Sequence, residues 1–280
     1  MQTEHTKCEQ AFGMEEELFP PFEEAPMKVA PLPHECDERI KTCDKHGEFS
    51  CRRSQSGLWN SCPACAEERE ERLRRTEEEA QRRRAADTVA RLLRDAAIPL
   101  RFSGKTLHNF KAETDPQRRV LQAASDYVEN FRKNLATGRS MLWCGPVGTG
   151  KTHLACGILD ALARAGHRVH YVTVAEIIRW LRETWRKGSD KSEQQAVDWL
   201  AELALLVIDE VGMQYGTDAE KIQLFEVMNA RYNAMRPTLV LSNLDRDGLR
   251  QFCGDRIVER LRENGGAILL FEGESWRGRL

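Results

Sequence analysis

The stretch that most limits how this chain can fold is residues 140–152, SMLWCGPVGTGKT. A short apolar run ends there in a glycine-rich turn, and a helix-forming segment, 152–165, follows. Strand, glycine turn and helix in that order are the layout of a phosphate site. Gly145, then four residues, then Gly150, Lys151 and Thr152 fit the P-loop spacing, and each part has a physical task. Gly145, Gly148 and Gly150 accept backbone angles that L-residues avoid. The run Gly145, Pro146, Val147, Gly148, Thr149, Gly150, Lys151, Thr152 and His153 can therefore turn successive N–H groups inward on phosphate oxygens. The helix points its positive N-terminal end at the same anion. Lys151 would reach the β and γ phosphates, and the Thr152 hydroxyl would sit on Mg²⁺. Without further support the same glycines make only a turn.

A second run supplies that support. Residues 203–210, LALLVIDE, read as a nearly unbroken apolar strand of the kind buried in a parallel sheet, ending in two carboxylates. Asp209 would hold the metal, directly or through water, and Glu210 would polarise an attacking water.

With 280 residues the chain has room for one substantial core plus a smaller module. Its 31% of charged residues point to long solvated stretches, and a net charge of −2 excludes a generally basic nucleic-acid binder. No run approaches membrane-spanning length, and the N-terminus lacks the basic-then-apolar pattern of a signal peptide. A cytoplasmic location is expected, so the nine cysteines read as thiols or metal ligands.

Along the chain, residues 1–42 are rich in Glu and Pro and read as a disordered acidic tail. Within it Leu18, Phe19 and Phe22 lie between acidic clusters, as a partner-docking segment or as plain solvated tail. Residues 43–66 form a candidate zinc module. Cys43 and His46 make one tight pair, Cys62 and Cys65 another, and two such knuckles close a tetrahedron around Zn²⁺. Cys51 is a rival third ligand, and Cys36 a weaker one. So small a module buries little, and the metal would supply much of its folding energy. Residues 67–98 alternate Glu and Arg with helical i,i+4 spacing, which suits a solvated connecting helix or, alternatively, a nucleic-acid arm.

From residue 99 to 280 strands alternate with helices. Expected strands are 168–173, 203–210, 238–242 and 267–271, with helices at 218–233 and 255–262 and a Thr173/Glu176 capping box between. That order implies α/β architecture, a parallel sheet with covered faces and the nucleotide at the strands' carboxyl ends.

Read in order, GPVGTGKTHLA, TVAEII, LLVIDEVGMQ, LSNL, DRIVERL and SWRGR resemble the ATPase domain of the DnaC-type replicative helicase loaders. These are AAA+ ATPases, similar in turn to the IstB-type transposition helpers. The resemblance implies a three-layer P-loop AAA+ domain that, with nine residues after Phe271, lacks a full helical lid. It also implies that Asn243 orients the attacking water. Arg260 would be the arginine finger reaching a neighbouring subunit, with Arg256 beside it, and Arg277 resembles the second sensor arginine. In the loaders a segment between the P-loop helix and the acidic strand touches single-stranded DNA, which makes Trp185, Arg186 and Lys187 candidates here. Ile177, Leu181 and Trp185 also fall at i, i+4 and i+8, as a core stripe would. Near 217–220 the family often places another aromatic, where this chain has Ala219; whether Tyr215 substitutes for it is left open by the sequence.

The implied activity is slow, Mg²⁺-dependent ATP hydrolysis by subunits that associate through their ATPase domains. The implied partners are a hexameric replicative helicase, bound through the N-terminal region, and single-stranded DNA. A transposition helper acting with a transposase is the first alternative, and a non-hydrolysing zinc-ribbon adaptor the second.

Overall fold

The computed structural model describes residues 38–54, 56–186, 192–213 and 218–276, with the side chains of 218 and 219 left out. Two compact units divide the chain, residues 1–75 and 76–280. In the first, β1 (Glu38–Cys43) pairs antiparallel with β2 (Gly47–Arg52) around a three-residue turn. Pairing runs from Cys43 opposite Gly47 to Glu38 opposite Arg52, so every residue of β2 has a partner. The ribbon therefore begins ahead of the boundary near 42 read from the cysteines, because a hairpin needs two equal arms. The acidic stretch around Phe19 and Cys36 lies outside the described residues.

Helix α1 (Pro63–Asp95) opens on a proline, whose fixed φ suits a first helical turn, and it crosses the division between the units. Its Glu and Arg blocks keep it exposed, and Leu92 near its end is its buried residue. Glu71 and Arg75 form one i,i+4 pair, whereas Glu68 turns to Lys45 and His46.

The second unit is built on five parallel strands: β3 (Met141–Cys144), β4 (Val169–Thr173), β5 (Leu205–Val211), β6 (Thr238–Ser242) and β7 (Ala267–Leu270). Their order across the sheet is β4-β5-β6-β3-β7, all parallel, which confirms the α/β expectation. Strand β3 lies inside the sheet with all four residues buried, so the turn that leaves it emerges among neighbouring strand ends.

Strand alternation sends Met141, Trp143, Tyr171, Val207 and Leu239 to one face. There they pack under α2 (Asp115–Glu129), α3 (Phe131–Thr137) and α4 (Lys151–Arg164). Leu142, Val172, Leu206, Ile208 and Val240 take the other face, against α5 (Val174–Thr184), α6 (Glu193–Glu202), α7 (Asp218–Asn233), α8 (Arg246–Cys253) and α9 (Asp255–Arg262). The edge strand β4 is closed off by the end of α1. Tyr171 N donates to Ala96 O at 2.9 Å, and His170 Nδ1 donates to Asp95 O at 2.7 Å. An edge covered in this way offers no template for another strand.

Arg231, on α7, is fully enclosed, and among the described residues its hydrogen-bond partners are a hydroxyl and two carbonyls rather than a carboxylate. Its guanidinium donates to Thr238 Oγ1 and to the carbonyls of Leu200 and Pro237, joining α7, α6 and β6. Burial pushes its pKa down to about 9, so it remains charged at neutral pH. Arg231→Ala strands three buried acceptors and opens a cavity. Urea unfolding is expected to show a loss of about 3 kcal/mol or more, and a loss below about 1 kcal/mol would contradict this role.

Candidate functional site

The glycine turn leaves β3 at Cys144 and enters α4 at Lys151, as the spacing requires. At Gly145 φ is +138°, and a Cβ there would lie 2.1 Å from Phe271 O; at Gly150 φ is +97°, and a Cβ would lie 2.6 Å from Phe110 Cε2. Side chains are barred at both points, which leaves a bare-backbone cradle that fits a polyphosphate. Thr149 Oγ1 donates to Pro146 O at 2.9 Å and braces the loop. Lys151 is buried, and its Nζ donates to Gly145 O (2.6 Å) and Pro146 O (2.8 Å), which keeps the ammonium at the turn.

Two segments clamp this loop that the sequence did not flag. Residues 106–110 lie against α4, where His153 Nε2 bonds Asn109 Oδ1 (2.9 Å) and Thr106 O (3.1 Å). His153 is thus occupied with that clamp, and burial lowers its pKa, favouring the neutral ring. Residues 271–276 follow β7 over the turn. Phe271 N donates to Cys144 O at 2.7 Å and Trp276 N to Gly148 O at 3.0 Å.

Asp209, near the end of β5, is buried and meets the P-loop helix directly. Thr152 Oγ1 donates to Asp209 Oδ2 at 2.9 Å. Thr152 and Asp209 are therefore in place to share one cation, and their oxygens are the hard donors that Mg²⁺ takes. Glu210 is exposed and has φ +63°, in the left-handed region that costs a side-chain-bearing residue about 1–3 kcal/mol. The β5–β6 register shifts between Ile208 and Val211, so the irregularity turns Glu210 out of the strand's regular alternation. Asn243 follows β6 directly, one residue beyond the Val211–Ser242 pair.

Arg256 and Arg260 share α9 but not an environment. Arg256 is exposed, whereas Arg260 donates to Asn229 and lies 4.8 Å from the Tyr232 ring centre on α7 of its own chain. Arg277, Lys187 and Tyr215 lie outside the described residues. Trp185 caps the end of α5, 60% exposed, with Nε1 donating to Glu193 Oε2 at 2.8 Å. The core stripe read from Ile177, Leu181 and Trp185 therefore stops at Leu181. Arg186 is exposed beside it and lines an open groove of about 450 Å³ that reaches Glu210, with Arg179, Arg182 and Lys221 along it.

In the first unit Cys43, His46, Cys62 and Cys65 converge, with their ligand atoms within 4.8 Å of one another. Cys43 Sγ is 3.5 Å from Cys65 Sγ, and His46 Nδ1 is 3.3–3.8 Å from all three sulfurs. Tetrahedral zinc with bonds near 2.3 Å to sulfur and 2.1 Å to nitrogen needs ligand separations of about 3.6–3.8 Å, so the set fits. Glu68 Oε1 accepts from His46 Nε2 at 3.1 Å, leaving the Nδ1 lone pair to face the sulfurs. Backbone N–H groups of Lys45 and His46, with the His46 ring, lower the Cys43 thiol to about 6. The hydrogen bond to Cys43, then burial and the charge beside it, raise Cys65 to about 11. Cys51 is buried in the hairpin with its thiol on Arg39 O at 3.1 Å, outside the cluster. Cys36 lies outside the described residues.

A parallel sheet, a glycine cradle at the end of the interior strand β3 and an acidic pair at the end of β5, one strand away, define a P-loop ATP-binding domain of the AAA+ class. Residues 58–278 match the family described as IstB-like ATP binding protein. The chain is 34% identical over 208 residues to the replicative helicase loader DnaC of Buchnera aphidicola subsp. Schizaphis graminum, covering 74% of this chain and 83% of that one. Its identity to DnaC of Escherichia coli K12 is 34% over 175 residues, 62% of this chain and 70% of the relative. A crystal structure of the DnaC helicase loader shares the fold with a TM-score of 0.56 at 23% identity, covering 62% of this chain and 100% of that one. The chain belongs to the IstB-like ATP-binding proteins, on their DnaC side. Among the described residues no helix is long and apolar enough to cross a membrane.

Proposed function

We propose that this chain is an ATP-dependent loader that binds a hexameric replicative DNA helicase and helps place it on single-stranded DNA. The observation that carries the ATP half is the Thr152–Asp209 hydrogen bond, which joins the phosphate turn to the acidic strand. Similarity to the two DnaC loaders carries the partner half and favours a helicase over a transposase.

In this reading the backbone N–H groups of 147–152 and the Lys151 ammonium hold the phosphates, with Thr152 and Asp209 holding Mg²⁺. When bound, that ion neutralises charge on the β and γ phosphoryl oxygens. Glu210 polarises water, and Asn243, an amide at the end of the adjacent strand, orients it. Arg256 is exposed and can reach a neighbouring subunit's nucleotide; Arg260 must first leave Asn229 and Tyr232. Trp185 offers an aromatic face for bases, and Arg186 and Lys187 cations for the backbone. Zn²⁺ bound by Cys43, His46, Cys62 and Cys65 holds the ribbon in a form that docks on the helicase. That site is structural, since four protein ligands leave no position open for substrate.

The partner reading is tested by co-purifying the full chain with the replicative helicase of its host, then adding ATP and single-stranded DNA. Wild type is expected to bind and then release the helicase. Lys151→Ala is expected to bind it but lose ATP binding and release. Absence of any helicase complex, or equal release by both proteins, would overturn the reading. Elemental analysis is expected to find about one zinc per chain in wild type and almost none in a Cys62→Ser, Cys65→Ser variant; zinc-free wild type purified without chelator would contradict the metal assignment.

A further inference from the structure

The carboxylate of Asp209 is not held by the P-loop alone. Oδ1 accepts from the Glu210 amide at 2.7 Å, while Oδ2 accepts two hydroxyls, Thr152 Oγ1 at 2.9 Å and Tyr171 OH at 2.7 Å. A carboxylate oxygen offers two lone pairs, so both of those on Oδ2 are taken by hydroxyls while Oδ1 keeps one for a cation. Tyr171 lies in β4, opposite Val207, and its phenol reaches two residues farther along β5 to Asp209. The side chain is buried, and a buried hydroxyl without a partner costs about 1–3 kcal/mol, so the two groups fix each other.

Thr152 is a poor sole anchor for this carboxylate, because in the reading above its oxygen is itself a metal ligand. Tyr171 has no such duty, and it belongs to the sheet rather than to the loop. We propose that Tyr171 is a positioning residue for Asp209, its hydroxyl holding the carboxylate toward Thr152 and thereby setting how tightly the site binds magnesium. This deepens the assignment of Thr152 and Asp209 to Mg²⁺ and rests on it. A phenylalanine fills almost the same space but leaves Oδ2 one donor short, so the carboxylate is held only by Thr152 and the Glu210 amide. Outer-shell donors to metal-binding carboxylates typically govern affinity by about 10- to 100-fold.

The test uses the full chain and a fluorescent ATP analogue whose affinity is measured against rising Mg²⁺ and again in EDTA. Tyr171→Phe is expected to raise the Mg²⁺ concentration for half-maximal effect about tenfold, with affinity in EDTA unchanged. Equal weakening in both conditions would show a general packing role and overturn the proposal. So would an unchanged Mg²⁺ requirement in Tyr171→Phe when Asp209→Asn shifts it. If Asp209→Asn also leaves the requirement unchanged, the metal assignment itself falls and takes the proposal with it. Thermal unfolding of each variant confirms that the comparison is between folded proteins.

Discussion

One hydrogen bond, from Thr152 Oγ1 to Asp209 Oδ2, joins the first turn of α4 to the end of β5. It is possible only because β3 and β5 are parallel and separated by a single strand, so both end on the same side of the sheet. The turn that leaves β3 and the carboxylates that end β5 are thereby brought to one place, the usual ligand position of an open parallel sheet. Burial of the strands fixes that relation: Trp143, Val207 and Leu241 on one face and Leu142, Ile208 and Val240 on the other are essentially enclosed. A slip of one residue would exchange the faces and carry Asp209 away from Thr152.

Around this contact the chain leaves little room for variation. The clamp from 106–110 and the crossing segment 271–276 both approach the loop at backbone distance, which explains why side chains are barred at Gly145 and Gly150. Strain is concentrated on the acidic side instead. Glu210 holds a left-handed backbone angle that its neighbours impose through the β5 irregularity, and its side chain remains exposed.

Much of this was legible from residue order. The apolar run ending in Asp209 and Glu210 could only be a buried parallel strand, and the glycine spacing placed the turn before α4. Helix α7 and strand β6 have the ends that their periodicity indicated. Short or polar helices were harder: α2 carries Arg and Gln among Val120, Ala124 and Tyr127, and its capping box from Thr114 to Gln117 went unread. Tertiary facts were not readable at all. Arg231 looks like a surface residue, yet it is fully buried with its donors taken by Thr238, Pro237 and the distant Leu200 carbonyl, and Trp185 continues a core stripe yet stands in solvent. Tyr171 gave a faint signal, since a tyrosine in a buried strand needs a partner for its hydroxyl, but nothing in the sequence named Asp209 as that partner.

The hairpin unit and the sheet unit answer to different constraints: three cysteines and a histidine converge in the first, and a covered sheet supports the second. What they have in common is the chain, and the central claim concerns only the sheet: that it grips a magnesium-bound adenine nucleotide at the end of β3. Calorimetric titration of Mg·ATP into the folded full-length chain tests this most directly. Saturable heat at about one nucleotide per chain is expected; heat no greater than dilution, with the protein still folded, would contradict it.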